Sequence, residues 1–450
     1  MISVMAAMGL ICASMGPLKV HPANPRYFAD RCGQAVYLTG SHTHLSFKKS
    51  GDRPPGTVLD YSTYLELMTA HNHNFMRLWS AWELNTYSPQ PWMMTDGRFD
   101  LTKFNDDYFK QLRQRVIAAR EKKIYVSVML FEGWLLRFTK NALKHHPFYG
   151  ENNINGIDVD GSLPQVHTLG NRRITAIQEA YIAKVVDTVN DLENVLYEVS
   201  NESEFPASVQ WQYHVIDFLN RYQAKKPKQH PVGMTSAGFS STYDDLPDLM
   251  KSPADWISPG KPTTVAYDYV NNPPPAMGAK VIISDSDHLD VMINDLAWVW
   301  KSMMRGVNPI FMDVYAPLDT LETGDATRIR NSMGQARKYA TKINLSMMAP
   351  RDDLTSTGYA LVNPGVEYLI YQPHREDQVS RAFRRILAID IIPGSLTVNL
   401  PPGSYWYEWF NPKTNTALEP QTLTATAGST RFSPPFAGSA VLHIRSVRQN

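Results

Sequence analysis

The chain has 450 residues, 43% of them hydrophobic and 19% charged, which predicts a soluble globular protein with a large domain of about 300 residues and a small one. Its net charge of +1 at pH 7 provides no field that would attract nucleic acid or an anionic membrane, so we expect neither as a partner. With only two cysteines, Cys12 and Cys32, a disulfide framework and a four-cysteine zinc site are excluded.

The chain begins with an apolar stretch, MISVMAAMGLICASMG, which has small residues near its end and no Lys or Arg. We interpret residues 1–16 as an N-terminal extension or the remnant of a secretory leader. This pattern leaves a secreted or periplasmic location and a cytoplasmic one equally open. No later segment reaches the roughly 18 uncharged apolar residues of a membrane span, and none is expected.

Between residues 35 and 315, apolar strand-like runs alternate with amphipathic helical stretches such as 109–123 and 176–192, which is typical of βαβ units and a parallel sheet. The strand candidates number eight: AVYLTG (35–40), FMRLWS (75–80), IYVSVML (124–130), VLYEVS (195–200), PVGMTS (231–236), DWIS (255–258), KVIIS (280–284) and NPIFMD (308–313). Eight repeats favour an α/β fold with a closed (β/α)₈ TIM barrel over residues 17–345. The alternative, an open doubly wound sheet, lacks the Gly-x-Gly-x-x-Gly of its usual nucleotide site.

Beyond a helix predicted around 327–345, short strand-like runs follow one another without helices, separated by turn residues such as Pro401-Pro402-Gly403. They predict a small antiparallel β-sandwich over residues 346–450, to which we assign a structural accessory role. One of these runs contains Tyr405, Trp406 and Tyr407 in succession. Because side chains alternate along a strand, such aromatic residues must divide between its two faces.

Carboxylates end two of the predicted barrel strands. Asn201-Glu202 follows the fourth strand, and Asp285 and Asp287 follow the seventh, which lies across the barrel mouth from the fourth. Hydrolysis of a glycosidic bond needs two carboxyl groups, one to protonate the leaving oxygen and one to attack or to activate water. Facing carboxylates also raise each other's pKa, which keeps one of them protonated. The pattern predicts a glycoside hydrolase that acts on a poly- or oligosaccharide and needs no cofactor.

The order of these features resembles the large retaining clan of (β/α)₈ glycoside hydrolases, which carry Arg on strand two, Asn-Glu at the end of strand four and a nucleophile at the end of strand seven. Longer motifs resemble bacterial proteins described as glycoside hydrolases related to the apiosidase-like family, with a C-terminal sandwich labelled a collagen-binding domain. These motifs are NPRYFADRCGQAVYLTGSHTH, DSDH, WVWKSMMRGVNPIFMD and the ending FNPKT through FSPPFAGSAVLHI. The similarity spans the chain from residue 17 onward.

The resemblance implies that Glu202 is the acid/base, that Asn201 bonds the sugar 2-hydroxyl and that Arg77 holds the carboxylates in place. It puts the nucleophile at Asp285, where the clan has a Glu that is one methylene longer, with Asp287 as the alternative. Retaining enzymes hold their carboxyl groups about 5 to 5.5 Å apart and inverting enzymes roughly 6.5 to 9.5 Å apart. The shorter aspartate therefore leaves the stereochemistry open, with retention preferred.

Other residues at or just beyond the strand ends are candidates for substrate contact, through hydrogen bonds or through indole stacking on a sugar ring. They are His42, His44, Trp79, Trp82, Glu83, Glu132, Trp134, His288 and Asp313. No metal is expected, because the His42-x-His44 and His71-x-His73 pairs lack a third ligand. The run Asp158-x-Asp160-Gly161 likewise lacks the spaced ligands of a calcium loop.

A second hypothesis is a non-catalytic protein that holds a glycan or a matrix protein in the same cleft. A carboxyl separation far beyond about 10 Å, or a blocked cleft, would favour it. A peptidase is disfavoured, because the sequence contains neither a zinc signature nor an obvious activated Ser or Cys. The sugar, the linkage, exo or endo action and the oligomeric state stay open.

Overall fold

The structure is a computed structural model. It describes residues 15–47, 60–80, 82, 89–159, 166–238, 241–260, 268–289, 296–313, 324–374 and 394–447. Within these ranges, no helix combines the length and the hydrophobicity needed to cross a bilayer.

The first 313 residues contain thirteen strands within the described ranges. They are β1 (Lys19–Val20), β2 (Phe28–Ala29), β3 (Ala35–Val36), β4 (Gly40–His42), β5 (Phe75–Leu78), β6 (Trp92–Thr95), β7 (Arg98–Phe104), β8 (Tyr125–Glu132), β9 (Val195–Asn201), β10 (Val232–Thr235), β11 (Trp256–Ser258), β12 (Val281–Asp285) and β13 (Asn308–Met312). The α-helices are α1 (Tyr61–Ala70), α2 (Asp106–Glu121), α3 (Trp134–Phe138), α4 (Arg172–Val189), α5 (Val209–Gln223), α6 (Leu246–Lys251), α7 (Ser286–Leu289), α8 (Leu296–Met304) and α9 (Gly324–Lys342).

Eight of these strands form one parallel sheet in the order β4-β13-β12-β11-β10-β9-β8-β5. The two ends of the sheet meet, since the Asn74 backbone N–H donates to the Thr39 carbonyl at 3.0 Å and the Asn74 side chain accepts the Thr39 N–H at 3.0 Å. The sheet is therefore closed, and the predicted (β/α)₈ barrel is confirmed. Its first to eighth strands are β4, β5, β8, β9, β10, β11, β12 and β13.

Two of the barrel helices, α2 and α4, begin where an asparagine caps them. Asn105 accepts the Asp107 N–H at the start of α2, and Asn171 accepts the backbone N–H groups of Arg173 and Ile174 at the start of α4. Such side chains satisfy amide groups that have no partner inside the helix. Both helices consequently start three or four residues earlier than the apolar spacing alone indicated.

The first barrel strand is shorter than the sequence predicted. Only Gly40–His42 lies in the barrel, whereas Ala35–Val36 pairs with Phe28–Ala29 in a small antiparallel sheet of β1, β2 and β3. Between them, side chains replace strand partners, and the Leu38 N–H donates to the Asn308 side chain at 3.1 Å. The expected strand AVYLTG is thus divided between two sheets.

A β-hairpin of β6 and β7 lies between the second strand and α2, where the sequence analysis proposed no element. Its turn is Asp96-Gly97, and both residues have positive φ, 49° and 75°. Asp-Gly between alternating apolar residues is a hairpin signal, because a type I′ turn needs positive φ at both central positions. This dipeptide would have located the hairpin.

The described residues of the C-terminal part form nine further strands: β14 (Ala349–Pro350), β15 (Ala360–Asn363), β16 (Glu367–Gln372), β17 (Leu396–Leu400), β18 (Gly403–Asn411), β19 (Thr416–Ala417), β20 (Gln421–Ala425), β21 (Gly428–Phe432) and β22 (Ala440–Ser446). Seven of them form an antiparallel sheet, and the β17–β21 pair packs over it. The predicted antiparallel sandwich is confirmed. Tyr405 and Trp409 are buried in its core, while Trp406 points to the other face and contacts His443 at 4.9 Å between ring centroids.

The large sheet of the sandwich has two apolar faces. Leu361, Leu369 and Tyr371 belong to the barrel core, whereas the alternate residues Val362 and Ile370 belong to the sandwich core. This division follows from the two-residue period of strand side chains. The sandwich is therefore packed against the barrel through buried apolar residues.

Polar contacts reinforce this boundary. Glu408 on β18 accepts a hydrogen bond from the Tyr339 hydroxyl at 2.9 Å and from Lys342 Nζ at 2.6 Å, both on α9. Trp300 on α8 stacks on Tyr371 with ring centroids 6.2 Å apart. The helices that follow the seventh and the eighth barrel strands thus provide the surface on which the sandwich rests.

Candidate active site

Arg77 on the second barrel strand is the centre of a buried carboxylate cluster at the C-terminal ends of the strands. Its Nε and Nη2 donate to the two oxygens of Glu198 at 2.9 and 2.6 Å. Its Nη1 donates to Asp285 at 2.9 Å and to Asp287 at 3.0 Å. The side chain is 1% exposed, so these are charge-assisted contacts in a medium that screens them weakly.

Asp285, the last residue of the seventh barrel strand, is held by donors on both carboxylate oxygens. Oδ2 faces Arg77 Nη1 and His42 Nε2, each at 2.9 Å, and Oδ1 accepts the Asp287 N–H at 3.0 Å. Although burial raises the pKa of this carboxyl, His42 and Arg77 outweigh that effect and lower it. Asp285 is therefore an ionised and fully enclosed carboxylate.

His42 is oriented by a second neighbour, Trp79. The Trp79 indole N–H donates to His42 Nδ1 at 3.0 Å, and the two rings stack with centroids 6.0 Å apart. Because an indole nitrogen can only donate, His42 Nδ1 is the acceptor and Nε2 carries the hydrogen that faces Asp285. Both residues were expected to contact substrate, but His42 is buried and its imidazole serves Asp285.

Asp287 lies two residues beyond Asp285, in the short helix α7. Its Oδ2 accepts from Arg77 Nη1, and its side chain is 10% exposed, against 0% for Asp285. Burial raises the pKa of Asp287, Arg77 opposes the rise and the Asp285 charge adds to it. Of the two aspartates, Asp287 is the one that reaches toward the barrel mouth.

Glu202 follows the fourth barrel strand in a left-handed backbone conformation, with φ of 46°. Such conformations are uncommon outside glycine and are concentrated at functional sites. Gly238, beyond the fifth strand, makes room for the side chain, since a Cβ there would lie 2.4 Å from the Glu202 carboxyl carbon. Within the described residues, Glu202 Oε2 is buried without a hydrogen-bond partner.

The two candidate catalytic carboxyl groups lie close together. A carboxylate oxygen of Glu202 is within 4.8 Å of one of Asp287, and a His288 ring nitrogen lies within the same distance of both. Burial raises the pKa of Glu202 well above its usual value, and the charges of Asp287 and Glu132 raise it further. These surroundings favour the protonated form of Glu202.

Asn201 connects the cluster to two further predicted residues. Its Oδ1 accepts from Arg77 Nη2 at 2.6 Å and faces His288 Nε2 at 3.2 Å, and its Nδ2 donates to Glu132 Oε1 at 3.1 Å. Burial is the main cause that raises the pKa of Glu132, to about 8. Burial likewise lowers the pKa of His288, to about 3, so this imidazole is neutral.

Glu202, Asp287 and His288 have the composition of a metal site within the described ranges. The hydrogen bonds of His288 do not fit that use. Because the Asn201 oxygen can only accept, His288 Nε2 must carry a hydrogen, and Nδ1 then accepts from the Ser258 hydroxyl at 2.8 Å. Neither nitrogen has a lone pair left for an ion, and Arg77 already supplies positive charge to Asp287.

Several predicted contact residues lie elsewhere than expected. Trp82 is fully buried in the barrel core, where its indole N–H donates to the Leu130 carbonyl, so its prediction as a stacking residue is wrong. Asp313 is also buried, and it forms a two-pronged ion pair with Arg330 at 2.6 and 2.7 Å rather than facing a substrate. His44 is half-buried beyond the first strand. Glu83 lies outside the described residues.

Glu198 was missed by the sequence analysis. It is fully buried on the fourth strand and receives two hydrogen bonds from Arg77. A carboxylate in the middle of an apolar strand is a signal that it must have a buried cation as a partner, because isolated buried charges are too costly. The run VLYEVS, together with FMRLWS, carried that signal.

A scan against protein-family models found no match, and a search of curated proteins found none. The fold does resemble solved structures along nearly the whole chain. A glycoside hydrolase aligns with a TM-score of 0.62 at 11% identity over 97% of this chain and 98% of its own. A family 5 glycoside hydrolase from Bacteroides vulgatus aligns with a TM-score of 0.61 at 13% identity, over 96% of this chain and 94% of its own. Another chain from that organism has a TM-score of 0.64 at 12% identity, over 96% and 83%. At these low identities, the alignments show that the folds are alike.

Proposed function

We propose that this protein is a retaining glycoside hydrolase in which Glu202 is the acid/base and Asp287 is the nucleophile. The observation that carries the proposal is the approach of the two carboxyl groups to within 4.8 Å across the barrel mouth. Retaining enzymes place their carboxyl groups about 5 to 5.5 Å apart, and inverting enzymes need a wider gap for a water molecule. The names of the solved structures with like folds support the same reaction class.

The protonation states favour this division of roles. Burial and neighbouring carboxylates raise the pKa of Glu202, so it holds the proton that a leaving group needs. Arg77, at 3.0 Å from Asp287, stabilises the negative charge that a nucleophile needs. Burial raises the pKa of both carboxyl groups, but within the described residues only Asp287 of the two accepts a hydrogen bond from a cation, so we assign the proton to Glu202 and the negative charge to Asp287.

In the proposed first step, an Asp287 oxygen attacks the anomeric carbon while Glu202 transfers its proton to the glycosidic oxygen. The bond to the leaving group breaks, and a glycosyl ester forms on Asp287. In the second step, Glu202 takes a proton from water, the water oxygen attacks the anomeric carbon and the ester bond breaks. Both carboxyl groups return to their initial states, and the reaction consumes one water molecule.

Asp287 is preferred over Asp285 because of what surrounds each carboxylate. Both oxygens of Asp285 already face donors from Arg77, His42 and the Asp287 backbone. Because the lone pairs of these oxygens already face hydrogen-bond donors, none is free to attack a carbon atom. We therefore assign Asp285 to positioning, in contrast to the preference that the motif resemblance gave.

Two further parts of the proposal, the family relation and the location, rest on the sequence. The relation to the apiosidase-like family is supported by the motifs near residues 24–44, 285–288 and 298–313. A secreted or periplasmic location is supported by the apolar N-terminal stretch. The sandwich, packed on the barrel through apolar residues, is assigned a structural role.

The test is to measure reducing-end release by the wild type and by Glu202→Gln on a panel of plant, algal and bacterial polysaccharides. The wild type should cleave at least one of them, and Glu202→Gln should lose the activity while its circular dichroism and unfolding midpoint stay close to those of the wild type. Full activity of Glu202→Gln would show that the acid is wrongly assigned. A wild type that binds a polysaccharide and cleaves none would favour the non-catalytic hypothesis.

A further inference from the structure

Trp134 and Phe138 form an exposed aromatic pair at the rim of the barrel mouth. Their side chains are 43% and 49% exposed, and their ring centroids lie 5.5 Å apart. They are four residues apart on α3, which places them on the same side of the helix. Among the large hydrophobic side chains that are exposed in the described ranges, these two are the only aromatic ones. Exposed rings next to a polar cleft are typical of a binding surface.

The helix that carries this pair is fixed to the acid/base residue. Arg137, between the two rings in sequence, donates to the Glu202 carbonyl at 3.2 Å and to the Ala237 carbonyl at 2.7 Å. Its guanidinium also lies over the Phe138 ring, 4.8 Å from the centroid. Because these hydrogen bonds already hold the helix in place, less conformational entropy of the protein is lost when a ligand binds.

The start of the helix is tied to the site as well. The Trp134 N–H donates to Glu132 Oε1 at 2.7 Å. Gly133 lies so close to the chain after Glu202 that a Cβ there would be 2.4 Å from the Ser203 Cα. The aromatic pair is therefore part of the same rigid unit as Glu202.

The positions of the two carboxyl groups indicate which end of a bound substrate the aromatic pair would contact. Asp287 comes from the seventh strand and Glu202 from the fourth, and α3 follows the third strand, which pairs with the fourth. The aromatic pair therefore follows the strand that neighbours the strand of Glu202, and Asp287 follows the strand opposite the pair. The sugar that is attacked lies at Asp287, and the leaving oxygen lies at the acid. Whatever extends past the acid belongs to the leaving group.

We infer that Trp134 and Phe138 form a platform that binds the leaving-group sugars of an extended oligosaccharide by stacking on their apolar faces. The inference rests on the proposed function and names its substrate class: a glycan chain that continues beyond the scissile bond, rather than a sugar attached to a small aglycone. Aromatic rings suit this role, because they offer large apolar area with little side-chain entropy to lose.

The test compares two kinds of substrate with Trp134→Ala, Phe138→Ala and the conservative Trp134→Phe. The probes are cellohexaose, mannohexaose and xylohexaose on one side and the 4-nitrophenyl glycosides of the same sugars on the other. For the cleaved hexaose, each alanine variant should raise KM by about tenfold, the loss expected for one stacking contact, and Trp134→Phe should restore most of it. For the aryl glycoside, whose leaving group is a single ring, KM should rise less than for the hexaose.

Met347→Ala is the matched control, since Met347 is also exposed, at 55%, but lies in the turn after α9. It should leave both substrates unaffected. Equal effects on the hexaose and the aryl glycoside, or no effect on either, would overturn the platform.

Calorimetric titration of the wild type and Trp134→Ala with the three hexaoses separates this inference from the proposed function. Hexaose binding that is lost in Trp134→Ala, without cleavage by the wild type, would overturn the hydrolase and keep the platform. Cleavage with an unchanged KM in Trp134→Ala would overturn the platform alone. If the wild type neither binds nor cleaves any of the probes, both proposals fail for these glycans.

Discussion

The Asp285 carboxylate accepts the backbone N–H of Asp287 at 3.0 Å, so one aspartate fixes the turn from which the other projects. This contact gives different roles to two aspartates that look interchangeable in the sequence Asp-Ser-Asp-His. It predicts that their substitutions will fail in different ways.

Asp287→Ala should lower kcat by about 10⁴-fold or more, because it removes the attacking group. Sodium azide should restore turnover by taking the place of the missing carboxylate, and the product should be a glycosyl azide of inverted configuration, detectable by NMR.

Asp285→Asn should instead lower the free energy of unfolding by roughly 3–5 kcal/mol, because it breaks a buried charge network. Azide rescue of an Asp285 variant, and none of Asp287→Ala, would reverse the assignment.

Arg77→Met should destabilise the protein by roughly 3–5 kcal/mol in urea unfolding, since Glu198, Asp285 and Asp287 lose their common cation. The loss should be larger at pH 8 than at pH 5, where protonation relieves the repulsion. Arg113→Met is the control, because Arg113 pairs with Asp191 at the surface and should cost less than about 1 kcal/mol. Equal losses in the two variants would contradict the role of Arg77.

Glu132→Gln should change how stability depends on pH. The folded chain holds a proton on Glu132 up to a pKa of about 8, whereas the unfolded chain releases it near the usual value of 4.5. Rising pH between these values therefore favours unfolding of the wild type. Relative to the wild type, Glu132→Gln should gain stability steadily from pH 5 to pH 8 and no further above that. Glu66→Gln, at an exposed carboxyl, should show no such trend in the same urea titrations.

Gly238→Ala should damage activity more than stability. Its φ of 81° strains any side chain, and the added Cβ would lie 2.4 Å from the Glu202 carboxyl carbon. Gly33→Ala is a matched control, because Gly33 has φ of 74° and nothing within 4 Å of the added atom. Both variants should lose about 1 kcal/mol or more of stability, and only Gly238→Ala should lose kcat. Normal kcat in Gly238→Ala would show that Glu202 can act from another position.

The barrel and sandwich could be predicted because their elements repeat. Seven of the eight barrel strands lie within two residues of the predicted runs, and apolar spacing located α2, α4 and α9. The first strand was divided wrongly because the side chains of Asn74 and Asn308, distant in sequence, take the place of its strand partners.

The site was harder to predict than the fold. Strand position indicated that Glu202, Asp285 and Asp287 meet at one end of the barrel, but it could not tell which aspartate is enclosed. That depends on His42, which contacts Asp285 from the first strand, and on Trp79, which orients the His42 ring. Similarly, Trp79 and Trp82 are three residues apart, and only the folded chain separates the ring beside the site from the ring in the core.

The large sheet of the sandwich supplies alternate residues to two different cores, with Leu369 facing the barrel and Ile370 facing away from it. This C-terminal module is consequently not an interchangeable cassette. Grafting a foreign β-domain onto the barrel would require that its exposed sheet face match the contours around Trp300 and Tyr339. Recombination points for chimeric enzymes should therefore keep α8, α9 and this sheet together.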